Sequence, residues 1–130
     1  MTVLLVGSLL LIVAATTMPW SAYYVGHAHW ANVEWVPFSR RVRPADFLLN
    51  VLLFVPFGYA GLRVGAGGAA GAVPPTGDRR TVATVIVAGC LLSTAVEVFQ
   101  VYCHGRIPTT VDVISNTLGA WIGTRLVRRR

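Results

Sequence analysis

Glu97 is the first residue to explain, because it stands near the C-terminal end of an otherwise apolar run, Thr81 to Tyr102. A carboxylate there costs several kcal/mol in a hydrocarbon interior, and the partial negative charge at a helix C-terminus adds repulsion. Partners for it follow in the chain. Gln100 shares its helical face, Arg106 lies just past the run, and Asp112 and Asn116 stand one turn apart as the next apolar run opens. Asp46 and Asn50 occupy the matching place in an earlier run. These residue types suit binding and proton chemistry: carboxylates accept hydrogen bonds or exchange protons, a guanidinium clamps a carboxylate or an anion with two bonds, and amides donate and accept. Glu97, Asp112 and Arg106 are therefore the catalytic candidates, and Asn50, Gln100, Arg106 and Asn116 the ligand-binding ones. Two acids and one arginine leave a charge over. Either one carboxyl holds a proton, which suits general acid or base work, or a cationic ligand completes the count.

Composition sets the class of protein that must position them. The chain has 130 residues, 55% hydrophobic and 12% charged, with no lysine, a balance that suits lipid better than water. Crossing a bilayer takes roughly 17 to 25 apolar residues. Four stretches approach that length, at about 2–20, 46–62, 81–102 and 110–127. The fold expected is all-α, a bundle of four transmembrane helices forming one domain over 1–130.

Arginine placement gives an orientation. With both termini on one side, that side holds Arg63, Arg79, Arg80, Arg125 and the tail Arg128 to Arg130, seven in all, against Arg40, Arg41, Arg43 and Arg106 on the other. The positive-inside bias then puts both termini in the cytoplasm. The basic tail is expected to meet anionic headgroups, and nucleic acid is not an expected partner. The first run begins Met-Thr-Val-Leu-Leu without a basic side chain, so it is expected to be a retained helix and not a cleaved signal.

Local chemistry marks the boundaries. Pro44 ahead of Asp46 favours a helix start, and Thr109 or Thr110 ahead of Asp112 can cap the last helix. Pro56 interrupts the second run and predicts a kink. Gly119 and Gly123 form a small-xxx-small step that lets another backbone approach closely. Trp20 to Arg43 is aromatic and suits the headgroup level, while Val64 to Asp78 is a Gly-Ala-rich linker. The short connection 103–109 forces the last two helices into an antiparallel hairpin.

With that topology, Asp46, Asn50, Glu97, Gln100, Asp112 and Asn116 reach one leaflet, the extracytoplasmic one. The blander roles are a first-turn charge for Asp46 or Asp112, a structural pair of Glu97 with Arg106, and interhelical hydrogen bonds for the amides. His27, His29 and His104 fall on the same side, but their spacing matches no metal-ligand set, so neither metal nor cofactor is expected. Cys90 and Cys103, thirteen residues apart, are too distant along a helix, at roughly 20 Å, to pair with each other.

Three motifs resemble the VanZ-like membrane proteins, a family named for a protein linked to low-level resistance to the lipoglycopeptide teicoplanin. They are Val36-Pro37-Phe38; Asn50-x-x-x-Phe54-x-Pro56-Phe57-Gly58; and Glu97-x-x-Gln100, Gly105-Arg106, Asp112-Val113-x-x-Asn116-x-x-Gly119-x-x-x-Gly123. Together they cover about 32–123. The resemblance implies a small helical membrane domain whose shared polar residues match Asn50, Glu97, Gln100, Arg106, Asp112 and Asn116; it brings no reaction with it. The expected function is an outer-leaflet site in the cell membrane that binds or acts on an envelope lipid, a lipid-linked cell-wall precursor or a lipoglycopeptide, lowering teicoplanin susceptibility. As an enzyme it is expected to be a hydrolase or transferase on a lipid headgroup. The alternative is an accessory membrane protein whose polar cluster only specifies helix packing; self-association is left open.

Overall fold

The computed structural model describes residues 1–17, 25–39, 41–65 and 79–128. They form four α-helices, α1 (Thr2–Thr17), α2 (Pro44–Gly65), α3 (Arg79–Gln100) and α4 (Thr110–Arg128), with one 3-10 turn at Trp30–Asn32. Among the described residues there is no strand, only an isolated parallel bridge between Glu34 and Thr109. The chain is all-α, as expected. Two helices, α2 and α3, are long and apolar enough to cross a membrane. α1 is shorter, at 16 residues. In α4 the polar stripe Asp112, Ser115, Asn116 and Thr117, with Arg125 further on, dilutes the apolar character that its length alone suggested. Trp20, Tyr23, Tyr24, Arg40, most of the Gly-Ala-rich linker and the final two arginines lie outside the described residues.

Helix ends follow their local chemistry. Pro44 opens α2, where its missing N–H would have had no intrahelical partner. Asp46 in the same turn meets Arg43 at 3.7 Å, both well exposed. Thr109 is the cap of α4: its Oγ1 accepts from the Val111 N–H at 2.9 Å and the Asp112 N–H at 3.3 Å. α3 stops two residues short of the Tyr102 expected from hydropathy. Tyr102 and Cys103 donate their N–H groups to the carbonyls of Phe99 and Gln100, three residues back, and Gly105 at φ 75° turns the chain towards α4. α2 runs through Pro56 as one helix, although the ring removes the donor that the Leu52 carbonyl would otherwise meet.

The largest helix contact is between α2 and α4, and glycine makes it possible. A Cβ added at Gly119 would land on the Val51 carbonyl oxygen, one at Gly123 on the Val55 carbonyl oxygen, and one at Gly58 on the Ala120 carbonyl oxygen. The two backbones touch, and since 51 meets 119 and 55 meets 123, the helices run in the same direction. α3 runs antiparallel to α4, with Gly89 beside Ala120. The apolar core sits where the helices converge, on Ile12, Phe54, Phe57, Val85 and Ala120.

Gly119→Ala, which must push on a carbonyl oxygen and not on a yielding side chain, is expected to destabilise the purified protein by about 1–3 kcal/mol. Gly7→Ala has nothing within 4 Å of the new Cβ and is expected to be neutral or to stabilise by up to about 1 kcal/mol through helix propensity. Thermal or denaturant unfolding in one detergent compares the two.

Candidate functional site

α2 and α4 begin at one end of the bundle and α3 ends there, so helix starts meet a helix finish. Glu97 is 8% exposed, and its Oε2 accepts the Thr109 backbone N–H at 2.8 Å. Thr109 is the N-cap residue of α4. In a capping box that N–H is met by an acidic or amide side chain three residues into the same helix, a position Asp112 occupies. Glu97 takes it from the neighbouring helix instead. The carboxylate that hydropathy left unexplained thus lies at the electropositive start of α4, which offsets its place at the electronegative end of α3.

Asp112 is left to face α2, where its Oδ1 accepts from Asn50 Nδ2 at 2.7 Å. Asn116, 3% exposed, donates from Nδ2 to Ser93 Oγ at 2.8 Å, and its Oδ1 is buried without a hydrogen-bond partner. Gln100 Nε2 donates to the Thr16 carbonyl at 3.1 Å, which ties the end of α1 to the end of α3. Arg106 is half-buried on the α3–α4 connection, within coulombic reach of both Glu97 and Asp112. All six residues singled out from the sequence, Asn50, Glu97, Gln100, Arg106, Asp112 and Asn116, line one cavity of about 900 Å³. Asp46 borders it as well.

Further groups at this cavity were not singled out as site residues from the sequence. Glu34, Arg41 and Arg43 reach it from the segment ahead of α2, and Thr16 from the end of α1. Glu34, Arg41 and Arg43 come from a connection without helical periodicity, so no spacing pattern marks them. Glu34 arrives through the backbone: its N–H donates to the Pro108 carbonyl at 2.9 Å, and its own carbonyl accepts the Thr110 N–H at 3.2 Å. Ser93 was legible in principle, since it precedes Glu97 by one turn and forms a polar stripe with Glu97 and Gln100. The cavity wall is also apolar in part, at Ala15, Leu49, Leu53, Ile107 and Val111.

Cys103 and Cys90 are free thiols. Burial pushes the Cys103 thiol above its usual range, with Arg106 opposing, so at neutral pH it stays a protonated, unreactive thiol.

A family model described as VanZ/LLP1 matches residues 1–129. The chain belongs to the VanZ-like family. No curated protein and no solved structure matches it significantly. Family membership together with the two long apolar helices points to a membrane protein. For this VanZ-like chain the cavity has two kinds of chemistry on its wall. Carboxylates and amides offer acceptors and donors at the helix ends, and guanidinium groups stand beside them.

The Asn50–Asp112 bond joins α2 to α4 across the polar end of their interface. A double-mutant cycle of Asn50→Leu and Asp112→Leu is expected to give a coupling energy of roughly 1 kcal/mol. Unfolding in mixed micelles measures it.

Proposed function

We propose that the chain is a multi-pass protein of the cell membrane, a single VanZ-like domain over 1–130 with four spans and both termini in the cytoplasm. In that arrangement the cavity opens towards the extracytoplasmic side and binds the polar head of an amphiphile. The ligand is an envelope lipid, a lipid-linked cell-wall precursor or a lipoglycopeptide, and sequestering or altering it lowers susceptibility to teicoplanin. The seven-to-four distribution of arginines supports the orientation.

The observation that carries the reading is the mixed wall of the cavity. Arg41, Arg43 and Arg106 can meet an anionic headgroup, Glu97, Asp112 and Asn116 can meet its hydroxyl or amino donors, and Leu49, Leu53 and Ala15 flank the place where an apolar tail leaves. Binding is favoured over catalysis because both carboxylates are already engaged, Glu97 by the Thr109 N–H and Asp112 by Asn50. A hydrolase or transferase acting on the headgroup would use Glu97 or Asp112 as general base and Arg106 to stabilise developing negative charge.

The competing reading, a packing cluster in an accessory protein, rests on the same hydrogen bonds, so the decisive variants must keep the fold. Glu97→Gln retains an oxygen for the Thr109 N–H while removing the charge. Arg106→Ala removes a half-buried cation from the cavity wall. Native mass spectrometry of purified protein is expected to show one headgroup class bound to the wild type and reduced at least tenfold in Arg106→Ala, with Glu97→Gln folded and also depleted. Equal retention by all three proteins, or no retained lipid or precursor in any of them, supports the packing role instead. Loss of folded protein in Glu97→Gln alone does the same.

A further inference from the structure

Outside the polar cavity, three imidazoles from two separate stretches of chain lie together. The ring centroids of His27 and His29 are 4.6 Å apart, those of His29 and His104 4.9 Å, and those of His27 and His104 6.0 Å. His27 and His29 belong to the segment ahead of α2, and His104 to the connection between α3 and α4. Backbone bonds hold these stretches together beside the rings: the Val25 N–H donates to the Tyr102 carbonyl at 3.0 Å, and the His29 N–H to the Val101 carbonyl at 2.9 Å. His27 Nδ1 lies 3.2 Å from the Val25 carbonyl, which as an acceptor requires the proton on that nitrogen. His29 Nε2 is buried without a hydrogen-bond partner. Among the described residues no group of three histidine, cysteine or acidic side chains is arranged to hold a metal ion, so the cluster is read for its protons.

We propose that His27, His29 and His104 form a proton-sensitive clasp, which docks residues 25–34 on the α3–α4 connection when the rings are neutral and releases them on acidification. Rings packed at these distances suit neutral imidazoles. Two protonated rings would place like charges about 5 Å apart, well inside the screening length of physiological salt. A protonated His29 would also bury an N–H that has nothing to accept it.

The surroundings do little to offset that charge. Among the described residues, the groups acting on His29 are His27 on its own segment and His104 on the facing connection, where Tyr102, Cys103 and Arg106 are the other ionisable side chains, and no carboxylate is among those acting on it. Burial, followed by the two neighbouring imidazoles, holds the His29 pKa below its ordinary value. A base whose pKa is depressed in the docked state binds fewer protons there than when released. Docking is therefore at full strength above the ordinary histidine value of about 6.5 and weakens as the pH falls below it.

The same segment ends at Glu34, whose backbone is bonded to Pro108 and Thr110 and whose side chain borders the polar cavity. Release of the clasp frees the near end of that border. Only this consequence for access rests on the ligand-binding reading above. The clasp itself is tested without ligand, so the two ideas fail separately.

The test is amide hydrogen exchange of the full-length protein in lipid nanodiscs at pH 7.5, 6.5 and 5.5, corrected for the intrinsic pH dependence of exchange. Protection in peptides spanning 25–30 and 101–104 is expected to fall severalfold between pH 7.5 and 5.5. Protection in α2 and α3 should stay constant. His104→Gln, at an exposed position, and His29→Gln should each flatten the pH dependence at those peptides. The proposal is overturned if protection at 25–30 does not change with pH, if it falls equally in both variants, or if the helices lose protection in parallel.

Discussion

Glu97 and the backbone amide of Thr109, the cap of α4, make the bond on which the polar end of the molecule depends. The carboxylate reaches from the wrong end of its own helix to the right end of the next one. Its acceptance of the Thr109 N–H supplies what Asp112 would otherwise give within α4. Asp112 is thereby released to take Asn50 from α2. One exchange of capping duty thus links three helices. It requires the sharp reversal at 101–109, since only a short connection brings the end of α3 beside the start of α4.

A second constraint sets the register. α2 and α4 run side by side with their backbones in contact at Gly58, Gly119 and Gly123, which leaves no room for a side chain between them and allows little sliding. The step read as a packing face in the sequence is therefore spent within the chain, on α2. This close approach turns the polar start of α4 towards α2 and α3. It also places Asn116 against Ser93, so that the amide is satisfied on one side and left with an unpartnered oxygen on the other.

The segment before α2 has a different physical character. It has no helical pattern and few buried apolar groups, and it is joined to the bundle mainly through backbone bonds to the α3–α4 connection. Such attachments sit at the low end of local stability. The proposed clasp acts on this weakly held segment and leaves the apolar core on Ile12, Phe54, Phe57, Val85 and Ala120 undisturbed.

Much of this was legible without coordinates, and for particular reasons. Apolar runs located the four helices to within a few residues because helix length and hydropathy are local properties. The α3 end was missed because hydropathy does not sense the hydrogen bonds that turn Tyr102 and Cys103 back. Pro44, Thr109 and Gly119 announced a start, a cap and a contact, since each residue type has a steric or hydrogen-bonding consequence wherever it stands. Convergence of Asn50, Glu97, Gln100, Arg106, Asp112 and Asn116 followed from alternating helix directions. Partner choice did not. Which amide meets which acid, the part played by Ser93, the arrival of Glu34 and the gathering of His27, His29 and His104 all depend on distances between segments far apart in sequence. Periodicity fixes the face a residue occupies on its own helix, but only the packing of one backbone against another decides what stands opposite.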